Sequence, residues 1–175
     1  KNFDVFEIIK NVSTDQGNTF TAIVSFNGKL FLGTNSSGLV QFNIADGSFS
    51  KISGLNNQII LCLDSGDDGK IYIGTDGGGI NVMDLRNYQI TFLLHDPANP
   101  TTIGSNSIYA FYIDRNGHMW IGTFSACVSH GCSQNLKFNV YTPLNNNILI
   151  NKSIRSLYFP DFNSKLLGSR EGFYY

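Results

Sequence analysis

The sequence has little charge. Only 14% of its 175 residues are Asp, Glu, Lys or Arg, and the formal net charge is −1. Because a nucleic-acid-binding surface needs a basic patch, this composition argues against a nucleic-acid partner. Hydrophobic residues make up 42% and aromatic residues 13% of the chain, which argues against disorder and predicts a packed core.

Glutamate and long apolar runs are also scarce. Glu7 and Glu171 are the two glutamates, so a paired-carboxylate active site would need aspartates from loops. The longest apolar run, near residues 59–63, is far shorter than the roughly 18 residues of a membrane span, and we expect no direct membrane contact in this segment. The chain begins at Lys1 without an apolar signal core, and we expect it to be a mature piece or a fragment of a longer protein.

The three cysteines are too few, and odd in number, for a disulfide framework. Cys62 lies in an alternating apolar stretch and is expected to be a buried thiol. Cys127 and Cys132 flank residues 128–131, interpreted as a hairpin loop, and we keep the two as a candidate disulfide in an oxidising compartment. With His130 they also supply three zinc-ligand types, but a fourth ligand is missing. We therefore predict no metal and no cofactor.

What the sequence does contain is a four-residue phrase that recurs along the chain. Its glycine stands at positions 33, 74, 122 and 168, at intervals of 41, 48 and 46 residues. Such a period indicates a repeat architecture. The copies are Phe31-Leu32-Gly33-Thr34, Tyr72-Ile73-Gly74-Thr75, Trp120-Ile121-Gly122-Thr123 and, in a worn form, Leu166-Leu167-Gly168-Ser169.

Each copy sits in the same order of predicted strands and turns. An apolar strand and a turn precede the phrase, and the phrase itself is the second strand. Asn27-Gly28 is the clearest turn, because both residues tolerate positive φ. A glycine-rich turn and two further strands follow. No stretch has sustained helical periodicity. Four short antiparallel strands per repeat predict an all-β fold of β-propeller blades.

We predict a single partial propeller domain over residues 1–175 with about four blades. The blades span approximately residues 18–53, 57–94, 106–141 and 152–175, and residues 3–9 form an extra outer strand. Two arrangements fit this count: the extra strand closes a four-bladed ring, or the chain is an arc of a larger propeller. An arc leaves open edges that need a partner, either neighbouring blades or a second copy in a homodimer.

Residues 106–123 (NSIYAFYIDRNGHMWIGT) and residues 57–59 with 70–80 carry a family resemblance. They resemble the two-component regulator propeller repeat: Asn, an apolar strand, Asp, Gly, Trp-Ile-Gly-Thr and then Gly-Gly-Leu. The third unit departs from this pattern, with Phe124-Ser125-Ala126-Cys127 where glycines are expected. The match is weak in the last unit.

The resemblance implies a seven-bladed type of propeller in the periplasmic sensor region of Bacteroidetes hybrid two-component proteins. It implies the ectodomain of an inner-membrane protein that detects glycan-derived oligosaccharides and signals, as a dimer, to a histidine kinase. This region would be non-catalytic, although the full-length protein would be a kinase. Two alternatives stay open. A propeller lyase or glycoside hydrolase would bring His95, Asp96 and Asp76 within hydrogen-bond reach, and a protein-interaction scaffold would expose a large apolar rim.

A propeller usually binds ligands at one rim of its axis, where the loops into first strands meet the turns after second strands. Amides, an aromatic ring and a cation there suit a sugar or an anionic glycan. No catalytic residue is predicted. The candidate ligand-binding residues are Asn57, Asn106 and Lys152 in the loops, and Asn35, Asp76, Phe124 and Arg170 in the turns.

Overall fold

A computed structural model describes residues 19–126, 128–142, 153–159, 164 and 166–174. Fifteen β-strands make up its regular structure, and the described residues contain no helix, hence none able to span a membrane. The all-β prediction is confirmed.

The strands form four sheets, each a meander in which every strand pairs antiparallel with the next. Three sheets have four strands, and the last has three among the described residues. The sheets are β-propeller blades, numbered here from the N-terminus. Blade 1 contains β1 (Phe20–Phe26), β2 (Lys29–Thr34), β3 (Leu39–Asn43) and β4 (Phe49–Ile52); blade 2 contains β5 (Ile60–Ser65), β6 (Lys70–Thr75), β7 (Ile80–Asp84) and β8 (Ile90–Leu93). Blade 3 contains β9 (Ile108–Ile113), β10 (His118–Thr123), β11 (Val128–Cys132) and β12 (Phe138–Tyr141); blade 4 contains β13 (Ile154–Tyr158), β14 (Leu166–Ser169) and β15 (Phe173–Tyr174).

The blades follow one another in an arc that does not close into a ring. Their first strands lie side by side, with β5 packed against β1, β9 against β5, and β13 against β9. At the two ends of the arc, Ile23 is 62% and Phe173 is 84% exposed. The extra strand predicted at residues 3–9 lies outside the described residues.

The aromatic residue of the phrase packs between neighbouring blades. Phe31 is fully buried in the core between blades 1 and 2. Tyr72 is equally buried between blades 2 and 3, where it stacks on Phe111 with 5.2 Å between ring centroids. Trp120 packs beside Ile154 between blades 3 and 4. The hydrophobic cores are therefore the three spaces between sheets, and each blade depends on its neighbour for burial.

The glycine of the phrase is required where one blade approaches the next. In the first three copies the glycine faces an isoleucine that opens the next blade's first strand, and these three isoleucines are fully buried. A Cβ on the glycine would lie 2.5 Å from Ile60 Cγ2 for Gly33, 2.9 Å from Ile108 Cγ2 for Gly74, and 3.0 Å from Ile154 Cγ2 for Gly122. Real Cβ atoms do not come this close to neighbouring carbons, so only glycine permits the observed spacing.

The threonine of the phrase closes the turn that follows. Thr34 Oγ1 donates a hydrogen bond to the carbonyl of Gly38 at 2.8 Å, and Thr75 Oγ1 donates to Gly79 at 2.9 Å. In the worn copy, Ser169 Oγ donates to Gly172 O at 3.1 Å. The hydroxyl group at this position thus bonds to the backbone at the end of the strand.

Of two turns predicted from the sequence, one is confirmed and the other is wrong. Asn27 and Gly28 both have positive φ, 46° and 72°, as the tight hairpin turn requires. The hairpin loop expected at residues 128–131 is wrong, because Val128–Cys132 is strand β11, paired with both β10 and β12. Two flanking ladders and the burial of Val128 against Ile154 outweigh the weak strand preference of Ser, His and Gly here.

We expect Gly74→Ala to destabilise the fold by about 1–3 kcal/mol, the usual cost of overpacking a core. The new methyl group would press on Cys62 Sγ and Ile108. Urea unfolding followed by the fluorescence of Trp120 measures the effect. Ser50→Ala, at an exposed position on β4, is the control and should stay close to wild type. Equal unfolding midpoints for the two variants would show that the blades are not in close contact at Gly74.

Candidate functional site

The described loops that contain candidate residues lie at one end of the propeller axis. We call it the loop rim, and it comprises loops 53–59 and 94–107 together with turns 35–38, 76–79, 124–126 and 170–172. The turns of blades 1 and 2 are tied to the loop of the next blade: Gly38 N donates to Gln58 O at 2.9 Å, and Gly79 N donates to Asn106 O at 2.8 Å. Neighbouring blades therefore present one continuous surface here.

Three candidate residues meet at the junction of blades 2 and 3. Asn57 Nδ2 donates to the carbonyl of Asp76 at 2.7 Å. Asp76 also forms an isolated β-bridge with Ser107. Asn106 accepts at its side-chain oxygen from His95 N at 2.8 Å. The two asparagine side chains thus bond to backbone and shape the rim, and their role in ligand binding stays a prediction.

The remaining polar candidates are more dispersed. Asn35 Oδ1 accepts from Thr19 N at 3.0 Å within blade 1. Arg170 is exposed in the last turn, on blade 4. Lys152 lies outside the described residues. The structure therefore separates Asn35 from the junction of blades 2 and 3.

Phe124 lies in an exposed aromatic and cationic group that the sequence did not predict as a whole. Its side chain is 52% exposed, and its ring centroid is 5.8 Å from that of Tyr109. The guanidinium carbon of Arg155 lies 4.8 Å from the centre of the Tyr109 ring, on its face. Phe124 N also donates to Ser107 O at 3.1 Å, which joins this group to Asp76 through Ser107.

Tyr109 and Arg155 reach the loop rim because each first strand carries a β-bulge at the same place. In blade 3, Ile108 pairs with Thr123 and Ala110 pairs with Gly122, so Tyr109 has no partner in the ladder. A bulge re-aims the side chain of the extra residue and often lies next to a functional site. The bulge residues of the four blades are Thr21, Leu61, Tyr109 and Arg155.

Tyr109 and Arg155 share one feature that is visible in the sequence. Each follows the apolar residue that opens the first strand, such as Ile108 or Ile154. In a regular strand, alternation of side chains would place Tyr109 and Arg155 on one face of the sheet, so alternation does not predict that they reach the loop rim. The bulge is visible only in the pairing of the two strands.

The opposite rim holds a cavity of about 530 Å³ between blades 2 and 3. Its lining is rich in charge, and two of its carboxylates, Asp68 and Asp114, are in ion pairs. Lys70 Nζ lies 2.8 Å from Asp68 Oδ2, and His118 Nδ1 lies 3.0 Å from Asp114 Oδ2. Tyr72 donates its hydroxyl proton to Asp68 at 3.1 Å, and burial is the main cause that raises the Tyr72 pKa. These contacts hold the rim together.

His95, Asp96 and Asp76, whose grouping would favour a propeller enzyme, each have other hydrogen-bond partners in the described part of the chain. His95 Nδ1 donates to the carbonyl of Ile103 at 2.7 Å, which fixes the proton on that nitrogen. Asp96 Oδ1 accepts from Ala98 N at 2.9 Å. Among the described residues no hydrogen bond joins any two of His95, Asp96 and Asp76.

His130 and Cys132, which the sequence offered as zinc ligands, lie on strand β11. The ring of His130 stacks on Trp120 with 4.0 Å between centroids. No cluster of three metal-ligating side chains occurs in the ranges that the structure describes. Cys127 lies outside them, so its pairing with Cys132 stays a prediction; the extended strand Val128–Cys132 between the two does not favour it.

The expected buried thiol, Cys62, packs against the core between blades 2 and 3. The residue as a whole is partly exposed, but its sulfur lies 3.7 Å from the carbonyl of Ile108. Burial first, and the charge of Asp64 second, raise the pKa of Cys62 to about 12. The thiol is therefore protonated and unreactive at neutral pH.

Residues 102–125 match the model of the family described as Two component regulator propeller. These residues are similar to one repeat of that family. This match covers the second half of the loop before blade 3 and the first two strands of that blade, including Tyr109 and Phe124. No curated protein sequence matches the chain at a significant level.

The fold is similar to solved propellers. The extracellular domain assigned to hybrid two component system BT3049 of B. thetaiotaomicron matches with a TM-score of 0.80 and 16% identity, over 89% of this chain and 23% of that one. That assigned to hybrid two component system BT4673 of the same organism matches at 0.69 and 20%, over 89% and 21%. The computationally designed Ika4 protein matches at 0.65 and 15%, over 94% and 95%.

The chain thus spans less than a quarter of the two extracellular domains that it resembles. At these identities the likeness establishes the fold. The described chain is a β-propeller segment similar in fold to the extracellular domains of these two component system proteins.

We expect Asp64 to contribute stability at low pH that is lost as pH rises above 3.8 and through its higher folded pKa. Burial raises the pKa of Asp64 above its ordinary value of 3.8, although hydrogen bonds from Ile113 N and Ser65 N counteract the shift. The folded chain holds this proton more tightly than the unfolded chain, so stability falls between 3.8 and the higher folded pKa. Asp64→Asn should flatten that fall in urea titrations at several pH values.

Asp84→Asn is the control with the opposite sign. Arg86 lowers the pKa of Asp84 to about 2, so the contribution of Asp84 is present above 3.8 and is lost as pH falls towards 2. An unchanged pH profile in Asp64→Asn would contradict the assignment of a raised pKa to this carboxyl group.

Proposed function

We propose that this chain is a ligand-sensing segment of a periplasmic two-component sensor and that it binds glycan-derived oligosaccharides at the loop rim. The observation that carries the proposal is the exposed group of Phe124, Tyr109 and Arg155 on a propeller with one segment similar to the regulator repeat. An exposed ring beside hydrogen-bonding groups and a cation is the combination that binds the C–H face and the polar groups of a sugar.

The site is suited to binding without catalysis. Side chains at the loop rim bond to backbone, as Asn57 and Asn106 do, which gives a rigid surface for recognition. Signalling then passes from this ectodomain, anchored in the inner membrane, to a histidine kinase in the same protein. The similarity to extracellular domains of two-component systems supports that placement.

Exposed apolar side chains at the two ends of the arc support the proposed partners. These partners are further blades of the same protein or of a second copy. Ile23 is 62% exposed, whereas Phe111, at the same register position in blade 3, packs against blade 2. Phe173 is 84% exposed, whereas Leu39 and Ile80, at the same position in blades 1 and 2, are fully buried. Both end faces therefore expose apolar surface that a neighbouring sheet would cover.

Thermal unfolding of the intact protein with a panel of neutral and acidic oligosaccharides tests the proposed function. A ligand raises the melting temperature by mass action, and we expect at least one oligosaccharide to do so. Phe124→Ala should reduce that rise. Phe92→Ala, which removes a ring of similar exposure (44%) from the outermost strand of blade 2, should leave it unchanged.

Two results would contradict the proposal. One is the absence of a shift with any oligosaccharide. The other is release of new reducing ends from one of them, because turnover would favour the alternative function, a propeller lyase or glycoside hydrolase.

A further inference from the structure

We propose that Arg155, Tyr109 and Phe124 form a subsite for an acidic sugar, one that carries a carboxylate or a sulfate group. The inference rests on the proposed function and adds the chemistry of the ligand at the same rim. It starts from the position of Arg155 at the bulge of blade 4, beside the aromatic bulge residue of blade 3.

The geometry holds the guanidinium group in place and leaves it available. The bulge frees Arg155 from the ladder, in which Ile154 pairs with Ser169 and Ser156 pairs with Gly168. Its guanidinium carbon lies 4.8 Å from the centre of the Tyr109 ring, so stacking orients the planar donor fork. Arg155 is exposed, and no carboxylate in the described part of the chain forms an ion pair with it.

An oriented arginine suits a carboxylate or a sulfate. Its fork donates two parallel hydrogen bonds to a pair of anionic oxygens, and such charge-assisted bonds are stronger than neutral ones. Phe124, 52% exposed and 5.8 Å from Tyr109 between centroids, offers an apolar face beside that cation. The pair matches a sugar ring with one C–H face and one acidic substituent.

The charged residues of the loop rim on blade 4 also favour an acidic ligand. Arg170 occupies in blade 4 the turn position that Phe124 occupies in blade 3, directly after the phrase, so blade 4 carries two exposed arginines at this rim. Glu171 is exposed in the same turn, and Asp76 lies in the corresponding turn of blade 2. An acidic substituent is therefore favoured at the blade 4 side of the rim.

A second cation–aromatic pair provides a matched control. Lys29 Nζ lies 5.5 Å from the centre of the Tyr88 ring, at the opposite rim. It also donates to Tyr88 Oη at 2.8 Å, and Tyr88 in turn donates to Gln41 at 2.6 Å. This pair is closed by its own hydrogen bonds, so its loss should not affect an acidic ligand at the loop rim.

The test is isothermal titration calorimetry of the intact protein with two matched pairs of probes. Tetragalacturonate is paired with its neutral methyl ester, and sulfated cellotetraose with cellotetraose. The pairs separate a carboxylate from a sulfate and each acid from its neutral form. The variants are Arg155→Gln, Arg155→Lys and the control Lys29→Gln, each first checked for an unchanged melting temperature.

We expect one acidic probe to bind more tightly than its neutral partner, and more weakly as salt concentration rises. Arg155→Gln should weaken that binding about tenfold or more, as expected for a lost hydrogen bond to a charged group. Arg155→Lys should fall between Arg155→Gln and wild type, because it keeps the charge and loses the fork. Lys29→Gln should bind as wild type does.

Equal binding of acidic and neutral partners, or an unchanged affinity in Arg155→Gln, would overturn the acidic subsite. If neutral probes bind and Phe124→Ala abolishes that binding, the proposed function stands without this inference. If neither these four probes nor the oligosaccharide panel above binds, both fall together.

Discussion

The close approach of a phrase glycine to an isoleucine of the next blade sets the spacing of the sheets. Because Gly33, Gly74 and Gly122 have no Cβ, each first strand comes within contact of the second strand before it, and the aromatic side chains fill the rest of the space. The contact has a direction, from the phrase to the following blade. A blade therefore cannot bury its own core, and Phe173 is exposed in the last described blade.

The same packing places the residues of the proposed site. The strand that receives the glycine contact has its bulge directly opposite the end of the phrase, so each blade has one residue outside the ladder at the same position. In blades 3 and 4 that residue is Tyr109 or Arg155, and the turn after the phrase in blade 3 adds Phe124. The same position in the repeat therefore carries a different side chain in each blade.

The candidate site was predictable in part. The loop rim and the residues Asn57, Asp76 and Asn106 followed from the order of strands, because loops at one end of a meander must lie together. Tyr109 and Arg155 did not, because regular alternation places every residue of a strand on one of two faces, whereas a bulge depends on how two strands pair. Strand β11 was missed for a related reason: Ser129, His130 and Gly131 have little strand preference, and their two partner strands impose the structure.

The repeat, the order of strands and the end of the propeller at which the loops lie follow from the amino-acid residues alone. These features depend on local chemistry: a glycine without a side chain, a threonine that bonds the next turn, and Asn-Gly at positive φ. The folded structure was needed to show which side chains meet at the rim and that the arc of described residues stays open. Those outcomes depend on contacts between residues distant in the chain, such as Arg155 on Tyr109, and no local pattern encodes such distances.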